Sequence, residues 1–550
     1  MQLVSNSAHT IKLIGRASRL SLLQLQLVKN KIRAAYPSYE VEIITKNSRG
    51  DALQNISLHT VEGSDFFTQA IFKALENGEA DIAVHSLKDM SGEHFFSENY
   101  FAVVDRDDTR DVAIFNANVE TKIRAGEKLV IGTCSPRREE MAIHFLKKAL
   151  PQLHREIKID VRPIRGNVET RLRKLDNGEY DGTILATAGI NRLLRSNQDA
   201  DLIKQLLHHK KIMVLPLIEC VPAPCQGAIV AEAHTANERA IEILKQINTS
   251  TLYEDCYREK KYALSYGSGC IQKFGVTTIT TAKEKYLYAA GQNAAGASFF
   301  QWHPSPHPIF GTFFSTTDVM KDFFEYQWNS KPLPTIDTKA IFVANYKALQ
   351  KKRVAEQTQA QQQNSNVNGF TSVEASPLLT QQKLCTEVEN NNFFDKQIVI
   401  VAGSKTWFEL AKQGYWVTAS ADALGFEFLL PSLSMPLINI NKEDVTIITH
   451  NEAAERWKSK GYKAVSNYTL QPKNNLVLQN QIAEADAIFW SSFSQYQYFG
   501  KYAKPAAKHL CAGGETAYLL QQQGLQPIIF PTIKSFQLWR KNIFPLPSGE

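Results

Sequence analysis

Leu75-Glu76-Asn77-Gly78-Glu79-Ala80-Asp81 recurs further along the chain as Leu175-Asp176-Asn177-Gly178-Glu179-Tyr180-Asp181. In both copies the Asn-Gly pair reads as a helix stop, with glycine in the left-handed position beyond the last turn. In both the chain then enters a strand, Ile82 to His85 in one case and Thr183 to Ala186 in the other. A helix stop is common enough to be used twice by chance. Helix, stop and strand repeated in the same order nevertheless favour two similar α/β lobes with a ligand cleft between them.

The flanking sequence extends this pattern. A strand near Lys12 to Ile14, a helix from about Leu20 to Ala35 and a strand near Glu40 to Lys46 alternate as in an α/β domain with a parallel or mixed sheet. After about residue 335 the character changes, and Lys351 to Lys383 is rich in Gln, Asn, Ser and Thr, the composition of a flexible linker. From Gln397 a new α/β pattern begins, with strand-like Ile398 to Ala402, helix-like Trp407 to Lys412 and strand-like Ala487 to Trp490.

With 550 residues, 43% hydrophobic and 21% charged, the chain is long enough for three or four domains. A formal charge of +7 is small for this length, so general polyanion binding is not expected unless arginines converge locally. No aromatic stacking platform accompanies the arginines, which argues against nucleic acid as a partner. The seven cysteines, at 134, 220, 225, 256, 270, 385 and 511, include no CxxC pair and no zinc-type spacing. They read as reduced thiols of a cytoplasmic protein without a metal site. The first thirty residues lack the unbroken apolar run of a signal peptide, and no stretch is long enough to span a bilayer, so no membrane partner is expected.

Several arginines fall at strand-to-helix junctions. Arg137 and Arg138 follow the strand Leu129 to Thr133 and the turn Cys134-Ser135-Pro136, which places them in the first turn of a helix, where the macrodipole prefers acids. Amide groups, Ser135 and two guanidinium groups at a helix start can receive a carboxylate or phosphate. In Arg165-Gly166-Asn167-Val168-Glu169-Thr170-Arg171, Asn167 can cap a helix with Arg165 before it and Arg171 one turn in. Arg16 and Ser18 lie between the first strand and first helix, and Arg192 follows the strand Thr183 to Ala186. Singly, each arginine reads as a solvated surface charge. Together, in two lobes facing one cleft, they imply a ligand with many carboxylates.

Two further positions have chemical potential. His85-Ser86-Leu87-Lys88-Asp89 sits at the carboxyl end of a strand, where open α/β sheets place functional groups, making Asp89 a candidate acid. A helix cap or a partner for Lys88 is the equally simple structural role. Cys270 in Gly267-Ser268-Gly269-Cys270 lies in a loop of small residues that would leave its sulfur exposed, although a lone loop cysteine is more often inert.

Over about residues 11 to 310 the sequence resembles porphobilinogen deaminases. The matching stretches, in order, are Ile14-Gly15-Arg16-Ala17-Ser18 with Leu20 and Gln24, Ser48-Arg49-Gly50-Asp51, Ala80 to Asp89, Arg110-Asp111, Ile131 to Arg138, Arg165 to Leu172, Lys174 to Asp181, Ala188-Gly189 with Arg192, Val221 to Pro224 with Gln226-Gly227-Ala228, and Gly269-Cys270. The resemblance implies two periplasmic-binding-protein-like lobes and a small α+β third domain carrying Cys270. It also implies a dipyrromethane cofactor, assembled from substrate and held by Cys270 through a thioether. The implied partners are porphobilinogen and the growing pyrrole chain, polymerised with loss of ammonia to hydroxymethylbilane in tetrapyrrole biosynthesis. Asp89 would be catalytic. Arg16, Ser18, Lys88, Ser135, Arg137, Arg138, Arg165 and Arg171 would hold the cofactor, and Arg16, Arg165, Arg171, Arg192 and Gln226 the substrate. The loop Asn55 to Ser64 would be a lid.

The expected division is 1–105 with about 200–228 as one lobe, 106–199 with about 229–255 as the other, 256–335 as the α+β domain, 336–396 as linker and 397–550 as a separate α/β domain. A monomer is expected. The sequence departs from the family at Ser64-Asp65, where a lid cation is usual, at Cys225, usually glycine, and at Met90-Ser91, usually valine and proline. The C-terminal part resembles uroporphyrinogen-III synthase in Thr406 to Ala411, Ala419 to Gly425, Phe489 to Ser492 and Ala512 to Ala517. By length only one of that enzyme's two lobes fits after Gln397, so this part reads either as a remnant or as a second enzyme that takes the product of the first. A two-lobed polycarboxylate-binding protein without catalysis would have no use for Cys270.

Overall fold

The computed structural model describes residues 9–46, 69–153, 155–266, 273–281, 284–330, 333–349 and 397–543. Cys270, the stretch Asn55 to Ser64, Asp65 and the polar run Lys351 to Lys383 lie outside the described residues. The fold is mixed α/β, and no described helix is long and apolar enough to cross a membrane.

Two five-stranded sheets share one plan. In the first the order is Tyr39–Lys46, His9–Arg16, Ile82–Ser86, Ala228–Ala233, Tyr100–Arg106. In the second it is Ile159–Arg162, Leu129–Gly132, Gly182–Ala186, Asp111–Phe115, Lys211–Val214. In each, the first three strands run parallel and the fourth is antiparallel to both of its neighbours.

The repeated sequence does the same work in both lobes. Gly78 and Gly178 have φ of 69° and 74°, a conformation glycine adopts without a Cβ penalty. The aspartate that ends each copy then closes onto the second strand in the order of its sheet. Asp81 N donates to Lys12 O at 2.9 Å while its Oδ2 accepts from Lys12 N at 2.8 Å. Asp181 N donates to Val130 O at 2.8 Å and its Oδ2 accepts from Val130 N at 2.8 Å.

The chain crosses between lobes twice, at 107–110 and at 215–227, and the second crossing corrects the expected partition. The helix Ala200–Leu207 and the strand Lys211–Val214 belong to the second lobe, where Ile203 and Leu206 pack with Val112 and Leu172. The strand Ala228–Ala233 and the helix Glu238–Ile247 belong to the first, where Ile243 and Leu244 pack with Ile11 and Val28. Ala228–Ala233 is buried on both faces and Lys211–Val214 is only four residues long, so their sequences carry no sign of which sheet receives them.

Beyond the lobes, the helix Ser250–Ser265 packs against a three-stranded antiparallel sheet, Lys273–Thr280, Lys285–Gln292 and Ser298–His303. Buried Glu259 on this helix accepts both Arg106 terminal nitrogens, at 2.9 and 2.8 Å, and the amides of Cys225 and Thr278, each at 2.7 Å. One carboxylate thereby ties the third unit to the first lobe and to the second crossing. Glu259 balances Arg106 so well that the guanidinium is raised above its usual range despite burial.

The C-terminal half contains two sheets, not one, and begins earlier than expected. A six-stranded sheet has the order Phe324–Trp328, Lys463–Pro472, Val445–His450, Ala340–Val343, Ile398–Val401, Val417–Ser420. A four-stranded parallel sheet has the order Phe313–Ser315, Ala487–Trp490, Lys508–Ala512, Ile528–Phe530. Ala340–Val343, inside the span read as linker, is a fully buried strand paired with two neighbours. Four apolar residues followed by a long polar run give too short a period for sequence reading to recognise.

This half packs against the second lobe and the third unit. Trp407 Nε1 donates to Ala149 O at 3.0 Å, Trp416 Nε1 to Ile212 O at 3.1 Å and Trp539 Nε1 to Pro306 O at 3.0 Å. Trp407 is fully buried and meets Phe145 edge-on at 5.1 Å. Trp407→Ala should therefore cost about 3–5 kcal/mol of stability in urea unfolding. A cost below about 1 kcal/mol would show that the two halves do not pack through this residue.

Candidate active site

The first crossing ends in Asp111, a fully buried carboxylate at the start of an apolar strand. A charge there survives only if it is paired. Arg137 Nη2 donates to Asp111 Oδ2 at 2.7 Å and Arg138 Nη2 to Oδ1 at 2.8 Å. Gln226 Nε2, from the second crossing, adds a bond of 2.9 Å to Oδ1 and another of 2.7 Å to Thr109 O. Burial alone would raise the Asp111 carboxyl, but the two guanidinium groups hold it far below the usual carboxylate range.

Arg137 and Arg138 were expected to present free charge at a helix start. They are instead only 5% and 8% exposed, and each has an internal anion. Arg137 Nη1 also donates to Val221 O at 2.7 Å and Arg138 Nη1 to Ile184 O at 3.0 Å, so the pair joins the second crossing to the second sheet. Arg138 Nε is buried without a hydrogen-bond partner among the described residues. Ser135 Oγ accepts from Arg138 N at 3.5 Å and so serves as a weak cap of the segment.

Arg171 lies beside this pair. Its guanidinium is pushed down to about 10 by burial, and Arg138 and Arg165 push in the same direction. Its Nε donates to Gly166 O at 2.9 Å, and Asn167 caps the helix as expected, accepting from Thr170 N at 2.8 Å. Arg171 and Arg165 thus stand beside Arg138, whose one anion, Asp111, is shared with Arg137. Arg192 and Gln226 have a different place from the substrate contact expected of them. Arg192 is 9% exposed and bonds Asp105 at 3.2 Å and Gly227 O, and Gln226 is fully enclosed between the crossings. They tie the two crossings to each other. The crossings touch so closely there that a Cβ on Gly227 would lie 2.5 Å from Asp107 O.

Asp89 ends a single helical turn, Leu87–Asp89, directly after the strand Ile82–Ser86. It lines one cavity with Arg16, Ser18, Gln24 and Ser86. Ser18 caps the helix Arg19–Ala35, accepting from Ser21 N at 3.4 Å, and Gln24 Nε2 donates to Ser86 Oγ at 2.7 Å. Lys88 links the two halves of the site electrostatically. Burial lowers its ammonium, Asp89 and Asp111 oppose the shift, and Arg138 and Arg137 add to it.

His85 lines the same cavity as Asp89, and Glu232 on the strand Ala228–Ala233 is fully buried. It faces His85 Nε2 at 3.3 Å and His94 Nε2 at 2.7 Å, and accepts from Asn99 Nδ2 at 2.7 Å. Although burial opposes it, the two imidazoles hold the carboxyl at about 2.

The sequence pattern described as porphobilinogen deaminase, dipyromethane cofactor binding domain, matches residues 11–242. A probable porphobilinogen deaminase of Pyrobaculum islandicum is 30% identical over 291 residues, 52% of this chain and 89% of that protein. The chain belongs to the porphobilinogen deaminase family. Porphobilinogen deaminase of Alkaliphilus metalliredigens is 34% identical over 278 residues, 50% of this chain and 81% of that protein. A probable porphobilinogen deaminase of Methanocaldococcus jannaschii is 34% identical over 279 residues, 50% and 85%.

Against the porphobilinogen deaminase pattern, the structure accounts for the family's usual glycine at position 225 and gives no reason for the cysteine. Cys225 occupies the left-handed region with φ 60°, which the family's usual glycine adopts freely, and its buried thiol is pushed well above the ordinary value by burial. Glu232 and Glu259 were not singled out by sequence reading, and Asp111 appeared only within the matching stretch Arg110-Asp111, without a role. The only available sign was an acidic residue at the edge of an apolar strand or helix face. Glu232→Gln tests the buried carboxylate between His85 and His94. A carboxyl lowered on folding contributes stability above its unfolded value near 4.5, lost as pH falls through about 2. The variant should be less stable than the parent at pH 7, and in urea unfolding the gap should narrow as pH falls below about 4.5. An equal gap at pH 7 and pH 3 would mean Glu232 is not the anion described.

Proposed function

We propose that this chain is a hydroxymethylbilane synthase that polymerises porphobilinogen, with loss of ammonia, into a linear chain of pyrroles. The observation that carries the reading is Asp89 and Arg16 in one cavity, coupled through Lys88 to the buried arginines around Asp111. Each pyrrole brings an acetate and a propionate, so a lengthening chain needs several cations in fixed places. Arg16, Arg165 and Arg171, with Arg138 Nε and Lys88, are the groups to receive them, and guanidinium groups can do so bidentately. Asp89 accepts pyrrole N–H groups, offsets positive charge on the reacting ring and moves the protons that carbon–carbon bond formation releases.

The residues present suit a multiply carboxylated prosthetic group, because Arg171 and Arg138 have more buried donor capacity than internal anions. Arg16, Ser18, Lys88, Ser135, Arg165 and Arg171 would hold dipyrromethane, attached at Cys270 outside the described residues. When bound, it supplies the free α-carbon from which the chain grows. Arg137 and Arg138, tied to Asp111, keep this cradle in shape.

Intact-mass measurement of the purified protein should find an adduct of two linked pyrroles that Cys270→Ser loses. Asp89→Asn should keep the adduct and lose turnover by about 100-fold or more, as expected for a general acid and base. An unmodified parent mass, or ordinary rates in Asp89→Asn, would refute the assignment.

A second reading concerns the C-terminal half. We infer that it takes up the linear product and closes it to uroporphyrinogen III. Its two lobes put the turns after parallel strands face to face, where a Cβ on Gly425 would lie 3.4 Å from Gly514 Cα, and Lys460 bridges to Glu515 at 3.1 Å. The full chain supplied with porphobilinogen should yield mainly the ring with the last pyrrole inverted. A product in which all four rings keep the same order would remove this reading.

A further inference from the structure

The two halves of the chain do more than touch. One buried carboxylate of the C-terminal half, Asp422, reaches both crossings between the N-terminal lobes. Asp422 Oδ2 lies 3.6 Å from Arg110 Nη2 in the first crossing, and Oδ1 accepts from Ile218 N in the second at 3.5 Å. Asp422 is fully buried and Arg110 is 4% exposed. Burial pushes the Asp422 carboxyl up to about 6 even with Arg110 opposing.

The helix that follows, Phe426–Leu433, closes over the same arginine. Ser432 Oγ accepts from Arg110 Nη1 at 2.5 Å, and the Phe428 ring lies 5.6 Å from the guanidinium carbon. The turn after the helix grips the rest of the crossing. Leu437 N donates to Asn191 Oδ1 at 3.1 Å, and Asn191 Nδ2 donates to Asp107 at 3.3 Å. Arg195 donates to Asp107 and to Met435 Sδ. Asp107, Asp108 and Arg110 directly precede Asp111, the residue that sets Arg137 and Arg138.

We propose that the segment Asp422 to Leu437 is a built-in part of the interlobe hinge, and that Asp422 and Ser432 are positioning residues for the N-terminal cleft, acting through Arg110. Chain crossings are where two-lobed proteins absorb the backbone change of opening and closing. Here that backbone is clamped by a domain that adds no described side chain to the cleft containing Asp89. The turnover side of the inference rests on the synthase reading above, whereas the clamp does not.

The test uses the full chain with Asp422→Ala and, as a milder change, Ser432→Ala. Amide hydrogen exchange is read over 105–112 and 215–228, with the strands Ala340–Val343 and Val445–His450 as controls for the fold of the C-terminal half. Expected is exchange faster by about 10-fold at the crossings, with the control strands unchanged. With porphobilinogen, kcat should fall by about 5-fold while KM stays within about 2-fold, since hinge residues act on closure more than on first contact. Should Asp422→Ala lose the control strands, Ser432→Ala decides. Unaltered exchange at the crossings overturns the clamp, and faster exchange with unaltered kcat overturns its link to turnover. A parent protein inert toward porphobilinogen would sink the synthase reading and leave the exchange result to judge the clamp.

Discussion

A buried aspartate between two buried arginines organises the N-terminal half of this molecule. Asp111 could not remain ionised at the base of an apolar strand without Arg137 and Arg138, and neither arginine could be so enclosed without Asp111. Breaking such a group leaves an uncompensated charge, at a cost of about 3–5 kcal/mol. Because Gln226 joins the same carboxylate from the other crossing, one ionic group fixes where the lobes meet as well as how the second helix start is oriented.

This arrangement divides the cations by task. Arg137, Arg192 and Arg106 are occupied by internal partners and hold the lobes and third unit in register. The Arg171 guanidinium is depressed chiefly by its burial, and the neighbouring Arg138 and Arg165 guanidinium groups push it the same way. A ligand with several carboxylates would oppose that shift. Asp89 stands directly after the strand Ile82–Ser86 and lines a cavity with His85, whose imidazole faces the buried Glu232 carboxylate.

Much of the fold was legible where local chemistry dictates structure. The Asn-Gly stops, the Asn167 cap and the strands near Lys12, Glu40, Ile82, Leu129 and Ala487 all stand close to their expected places, because each is set by residues within one turn or one alternation. Features set by distant partners were not legible. Nothing near residue 200 reveals that the chain returns to the first lobe only after residue 227, and nothing near Ala340 announces a central strand whose neighbours lie across the polar run. The same reason explains the arginines. Their positions at helix starts could be read locally, but the pairing of Arg137 and Arg138 with Asp111 is made across more than twenty residues and between elements.

The central claim is that the Asp111 ion group shapes the cleft that receives a polycarboxylate. The most direct measurement is the pyrrole content of purified, folded Asp111→Asn protein, read from its intact mass beside circular dichroism. The account predicts native secondary structure with the adduct largely missing. A folded variant loaded as fully as the parent would contradict it.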